Sequence, residues 1–275
     1  MGITPHPRVN TPQDKATIWR YIELSQLLAL LERGGLFFSR ADGFDDFHEG
    51  AIPKATQERR EEALEGVDDG IVEDFIPTIT QGFRQFTFMN CWHRKNTESA
   101  TMWGAYADEG VPVCIQSTVG RLIDAIDRGE SSEDIYIHEV EYRDFDEFDI
   151  PNWNPINIAD YLPPYLYKRN EFQSESELRA IIQHQPSGAF KQTYDGPEAY
   201  IGDDKSEVGL ESDNPEGGVQ ISVNLGILIS TIHVGESVPD WKVKIIKDTV
   251  EYHLSDEPYS IPVTHSSIHN ENPDY

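Results

Sequence analysis

Basic residues are scarce in this chain. Its 275 residues include 22 lysines and arginines against 49 aspartates and glutamates, only nine of the basic residues are lysine, and the formal net charge is −27. The cationic stripe that neutralises phosphates is therefore missing, which disfavours nucleic acid as a partner. Cysteine is scarcer still. Cys91 and Cys114 are the only two, too few for a disulfide framework, and they read as reduced, buried thiols. No run approaches the roughly 20 apolar residues that cross a bilayer. Met1 to Asp14 lacks the apolar stretch of a signal peptide. A soluble, cytoplasmic protein with no membrane partner is the expectation.

Hydrophobic residues make up 38% of the chain and aromatic residues 11%, enough to build a core. The carboxylates are spread along the chain rather than gathered in a tail. Their mutual repulsion is costly in dilute salt but screened at molar salt, where the Debye length is about 3 Å. Dispersed acidity with few lysines points to a cell that keeps high salt inside. It also makes a solvated surface the plain alternative for every carboxylate cluster.

Residue patterning gives short, mixed elements. Thr17 to Tyr21 reads as a strand. Leu24, Leu27, Leu28 and Leu31 share a helix face that ends at Gly34-Gly35. Leu36 to Phe38 is a strand, followed by a carboxylate-rich loop and a charged helix from Lys54 to Glu65. The run FRQFTFMNCWH is a strand, and TESATMWGAYADE is a helix with Thr97 as its N-cap. A strand VPVCIQ, a helix from Val119 to Arg128 and a strand IYIHEVEYR complete this half. Further on, SELRAIIQH and VQISV are strands, LGILISTIHVG a short helix and strand, and PDWKVKIIKDTVEYHL a helix. Residues 1–16 are expected to be flexible, 17–254 to form one α+β domain with an acidic exposed loop at 202–218, and 255–275 to be a frayed tail. No strict βαβ rhythm appears, so α+β is preferred to a doubly wound sheet.

Four groups of residues could carry chemistry. Arg20, flanked by Trp19 and Tyr21, could grip an anionic or planar ligand; a snorkelling arginine at a core edge is the alternative. Asp42, Asp45, Asp46, His48 and Glu49 crowd one loop that could anchor hydroxyls or a hard cation, yet the D-x-D-x-D-G calcium pattern is absent and no metal site is assigned. Cys91 and His93 share a strand face, while Trp103 and Tyr106 share a helix face and could stack on a ring or simply pack. Lys168-Arg169 precede Glu175-x-Glu177-x-Arg179. On a strand those three charges would project to one side, as an exposed face or as a site.

In this order, the motifs resemble the prokaryotic family called domain of unknown function 2971, in an acidic, haloarchaeal-type form. The similarity rests on Trp19-Arg20-Tyr21, the run Gly-Gly-Leu-Phe-Phe-Ser, and Phe44-Asp45-Asp46-Phe47-His48-Glu49-Gly50 beside the family's F-N-D-P-F-E-G. It continues through Asn90-Cys91-Trp92, Met102-Trp103-x-x-Tyr106-Ala107, Lys168 and Glu175-x-Glu177-x-Arg179. Phe47 replaces the usual proline and Asp45 the asparagine. The opening elements also resemble ADP-ribosyltransferase-like enzymes. That likeness implies that Arg20 holds NAD phosphates, Tyr21 or Trp103 stacks on nicotinamide, and Glu177 stabilises the oxocarbenium ion. Arg179 is no part of that pattern, and the Ser-Thr-Ser strand is missing.

Three readings follow. The leading one is an enzyme acting on NAD or a similar nucleotide, in a toxin or anti-phage role, with Glu175, Glu177 and Arg179 catalytic. Arg20, Tyr21, Asp46, Glu49, Trp103, Tyr106 and Lys168 would bind its ligand. The second is a non-catalytic sensor or binding module in which the charges form a buried structural network. The third is a metal-dependent nuclease or phosphodiesterase using Asp46, Glu49, Glu175 and Glu177. The residues alone assign no cofactor.

Overall fold

Alternation in β1 (Thr17–Glu23) sends Ile18 and Ile22 to one side and Trp19 and Tyr21 to the other, and all four are buried. A strand buried on both sides belongs to a sheet covered on both faces. The computed structural model describes residues 2–66, 82–106, 110–129, 131–154, 161–184, 217–255 and 260–268. It shows a mixed sheet of nine strands with helices, an α+β fold. No helix among the described residues is long and apolar enough to cross a membrane.

The strands are β1, β2 (Gly35–Arg40), β3 (Thr87–Arg94), β4 (Pro112–Thr118), β5 (Ile135–Glu139), β8 (Glu177–Gln183), β9 (Gly218–Ser222), β10 (Thr231–Val234) and β11 (Val263–His265). A separate parallel pair joins β6 (Glu141–Arg143) to β7 (Tyr167–Arg169). β3 is the organising strand. One of its edges pairs along its whole length with β8, which in turn pairs with β5. Its other edge is shared: β1 takes the end at His93 and Arg94, and β2 takes the end at Phe88 and Met89. From there β4, β10 and β11 extend one arm and β9 the other. The sheet thus forks at Asn90–Cys91, and side chains close the fork. Asn90 donates to the Phe37 carbonyl at 2.8 Å and Arg20 to the Cys91 carbonyl at 2.8 Å.

Directly paired residues share a face, so the register sorts the sheet. One face carries Ile18, Ile22, Val113, Ile115, Trp92, Leu178, Ala180, Ile135 and Ile137 in a single apolar cluster. Over it lie α1 (Leu24–Arg33), α4 (Val119–Asp127), α5 (Leu225–Leu228) and α6 (Asp240–His253). α1 ends as the Gly34-Gly35 signal requires, with Gly34 left-handed at φ 62 and its N–H returned to the Leu30 carbonyl. The opposite face carries Trp19, Tyr21, Cys114, His233, His93, Cys91, Glu177, Arg179 and His138. Loops, 3₁₀ turns at Pro163–Leu166 and Asn170–Glu175, and the one-sided helix α3 (Ala100–Tyr106) cover it. The charged helix α2 (Lys54–Ala63) packs through Thr56, whose hydroxyl donates to Asp149 at 2.8 Å.

Several expectations are corrected. Residues 2–16 are not loose. Ile3 bridges to Ile135, the Asn10 N–H donates to His138, and Arg8 donates to the carbonyls of Pro151 and Asn152. Side-chain to backbone bonds of this kind leave no apolar periodicity to read. The tail is not frayed over 260–268, where β11 adds to β10. The helix expected from Thr97 begins at Ala100, with the Ser99 hydroxyl accepting from Met102 N–H at 3.4 Å. IYIHEVEYR breaks at Val140 into β5 and β6. Most of the 202–218 loop lies outside the described residues, and its final residue, Gly218, opens β9.

Candidate functional site

Arg179 stands mid-strand on the polar face with no solvent exposure. Its guanidinium has five N–H donors in a rigid fork, and all five are used. Nε donates to Glu177 Oε1 at 3.0 Å and Nη2 to Glu177 Oε2 at 2.9 Å. Nη2 also reaches Glu49 Oε2 at 2.9 Å, and Nη1 reaches Glu49 Oε1 at 2.7 Å and the Tyr165 carbonyl at 2.8 Å. Two carboxylates, one from β8 and one from the acidic loop 130 residues away, therefore clasp one arginine. Lys168 adds a second cation, donating to Glu175 at 2.6 Å and Glu177 at 3.4 Å.

Glu175 reaches this cluster by a different route from the one its spacing implies. It ends a 3₁₀ turn, and Ser176 takes a left-handed conformation at φ 42 before β8 begins at Glu177. Gly50 shows why the acidic loop ends in glycine. Its φ is +70, and an added Cβ would lie 2.3 Å from the Tyr165 ring, the residue whose carbonyl holds Arg179.

Burial and pairing shift these groups apart. Burial alone would raise Glu177, but Arg179 and Lys168 outweigh it and pull its carboxyl down to about 2. Burial and the nearby Glu177 leave Glu49 above its ordinary value despite Arg179. Lys168 is raised, because its carboxylate neighbours outweigh its burial. Burial and the Glu177 charge push the Cys91 thiol well up, and Cys91 donates toward Glu177. A thiol held protonated in this way is a poor nucleophile. His93 shares this face; its Nδ1–H donates to the Glu175 carbonyl, and its pKa is lowered by burial. His138 accepts from Asn10 N–H at Nδ1 and donates from Nε2 to the Leu166 carbonyl, a neutral tautomer that burial holds down to about 4.

The remaining expected ligands divide into two neighbourhoods and one outlier. Asp46 lies next to the network, accepting from Arg169 at 3.0 Å and from His48 N–H at 2.9 Å. Tyr21 and Trp103 sit in a separate cluster, edge to face at 5.3 Å and both buried. The Tyr21 hydroxyl accepts from Ser99 N–H, and Trp103 donates to Glu98 at 2.8 Å. Arg20 turns to the opposite face because it is adjacent to Tyr21 on a strand, and it lies over the Trp92 ring. The side chain of Tyr106 lies outside the described residues. Glu49, Lys168, Glu175, Glu177 and Arg179 therefore converge; Tyr21 meets them only through His93, on which its ring packs edge to face at 6.0 Å, while Trp103 lies beyond Tyr21 and Arg20 lies on the other face.

The sequence reading left two residues without a role. Glu98 is half-buried, with its side chain 5% exposed on the polar face, where it accepts from Trp103, the Ser266 hydroxyl and the Ser267 N–H and hydroxyl, and these bonds lower its pKa against its burial. Arg169, adjacent to the singled-out Lys168, carries Phe172 beneath its guanidinium at 5.1 Å. It lines a cavity of about 410 Å³ whose walls come from residues 48–57, 144–146 and 169–171. A scan of protein-family models and a search of curated proteins return no match to this chain.

Proposed function

We propose that this chain is a ligand-binding or sensor module in which the Glu49–Arg179–Glu177 network is scaffold rather than catalyst. The observation that carries this reading is the complete use of the five Arg179 donors inside a solvent-free site. A catalytic carboxylate must present a lone pair to its substrate, and Glu177 is 6% exposed with a second cation, Lys168, at 3.4 Å from its Oε2. Both Glu177 oxygens are turned onto Arg179. Each of the carboxylates that a metal-dependent reaction would recruit also has a cation of its own: Asp46 with Arg169, Glu49 with Arg179, Glu175 with Lys168. The NAD-acting enzyme has less support, since Arg20 lies across the sheet from Glu177. The carboxylate excess supports a salt-rich cytoplasm as the setting.

The test is to incubate the protein with NAD at molar KCl and to melt the wild type and Glu177→Gln. We expect no nicotinamide release from either, and a lower melting midpoint for the variant. Nicotinamide release by the wild type, abolished in a Glu177→Gln protein that still melts cooperatively, would overturn the reading.

A further inference from the structure

Donor accounting separates two arginines that sequence alone cannot tell apart. Arg179 has no donor to spare. Arg169 is different: one Nη2 bond goes to Asp46 and its face lies on Phe172, while its Nε–H is buried with no acceptor. That Nε–H is sealed from solvent, but the side chain as a whole is 29% exposed, so the outer guanidinium N–H groups are the ones an incoming acceptor can meet. Arg169 also lines the 410 Å³ cavity. Arg121 likewise has an unmet Nε, but it lines a shallower groove beside Asp14, Lys15 and Asp124 with no aromatic surface.

We infer that the Arg169 cavity binds a nucleoside 5′-monophosphate, an inference that rests on the binding-module reading and supplies its ligand class. Basic residues are outnumbered more than two to one in the chain. Yet Lys54, Arg169 and His48 line this one cavity beside Asp144, Asp146 and Glu171. The lining holds two cations against three carboxylates, so a phosphate would be met by direct contacts from Lys54 and Arg169 rather than by a positive field over the whole cavity. Arg169 and Lys54 suit a phosphate, the guanidinium by paired hydrogen bonds and the ammonium as a point charge. Lys54 opens α2, whose N-cap, Pro53, offers no side-chain oxygen, so the positive end of the helix adds to their field. Asp144 and Asp146 suit sugar hydroxyls, which donate to carboxylates. Phe145 provides the ring surface on which a base stacks. The volume lies near the lower end of the ~300–1,000 Å³ usual for ligand pockets, enough for one base, sugar and phosphate and short of a dinucleotide. At molar salt the long-range repulsion from the −27 surface is screened, while contacts within about 3 Å persist.

Calorimetric titration of the full chain at molar KCl with AMP, adenosine and inorganic phosphate tests this. AMP should bind more tightly than either fragment, and the exposed-site change Lys54→Ala should weaken AMP roughly tenfold, the loss of one charge-assisted bond. Arg169→Gln should weaken AMP at least as much, with an unchanged far-UV spectrum confirming that it is folded. Phosphate or adenosine matching AMP, or AMP failing to bind, overturns the inference. So does Lys54→Ala binding as the wild type does. A failure here leaves the NAD assay to judge the scaffold reading separately, because that assay reads turnover at Glu177 and not occupancy at Arg169.

Discussion

On the face of the sheet that carries Ile18, Ile115 and Leu178, helices lock down an apolar cluster with four of their own elements. On the face that carries Cys91, Glu177 and Arg179, turns and loops are held by ion pairs and by hydrogen bonds donated to backbone carbonyls. The first face tolerates small changes of shape, because its contacts are many and non-directional. The second face concentrates its strength in a few groups, and losing one leaves its partner buried and unmet. One strand, β3, supplies both: Trp92 to the first and Cys91 to the second. A chain can thus place an apolar core and a buried ionic network one residue apart.

The largest break in this contrast should come from Arg179→Ala, which leaves Glu49 and Glu177 buried without their cation. It should cost about 3–5 kcal/mol, read by denaturant unfolding at molar salt. The triple change Arg179→Met, Glu49→Leu, Glu177→Leu removes all three charges together and should cost less than that single change. Acid is the next lever. His138 is 1% exposed and titrates at about 4 in the fold against an ordinary 6.5. The unfolded chain therefore binds its proton first. Stability is full above the ordinary value and falls by about 3 kcal/mol as pH drops from 6.5 through 4. Glu177, lowered to about 2, adds a further loss below the ordinary carboxyl value. His138→Gln should remove the first part of that slope in pH-dependent melts. Smaller again is Glu98→Gln, where an amide would present N–H groups to the donors of Ser266, Ser267 and Trp103. We expect about 1–3 kcal/mol and faster amide exchange at Ser267. On the other face Ile115→Val should cost only about 0.5–1.5 kcal/mol, and by the same amount at pH 5 and pH 7. A pH-dependent cost there would erase the distinction.

The parts of this arrangement that were legible in the sequence are those with a local period. β1, β4, α1 and α6 show their alternation or helical spacing directly, and the α+β class followed from their order. The charged residues of the network were legible as individuals, since Glu49, Lys168, Glu175, Glu177 and Arg179 all stood out. Their roles were not legible, because a role depends on what fills each donor, and Glu49 meets Arg179 only through tertiary structure. Arg20 looked like a partner of Tyr21 because adjacency in sequence resembles proximity; on a strand it means opposite faces. Glu98 carried no local signal, and Arg169 stood out only as the neighbour of Lys168. Acidity, the loudest feature of the composition, hid Glu98 among many carboxylates of ordinary surface type.

The fork at β3 also sets an order of events during synthesis. When residues 17–118 have emerged, β1, β2, β3 and β4 can already pair, yet the long edge of β3 waits for β8, residues 177–183. Through that interval the nascent chain presents an open strand edge flanked by Phe88 and Trp92, a template for pairing with another chain. The dense negative charge along the intervening segment then acts as a guard, keeping neighbouring copies apart until β8 closes the seam.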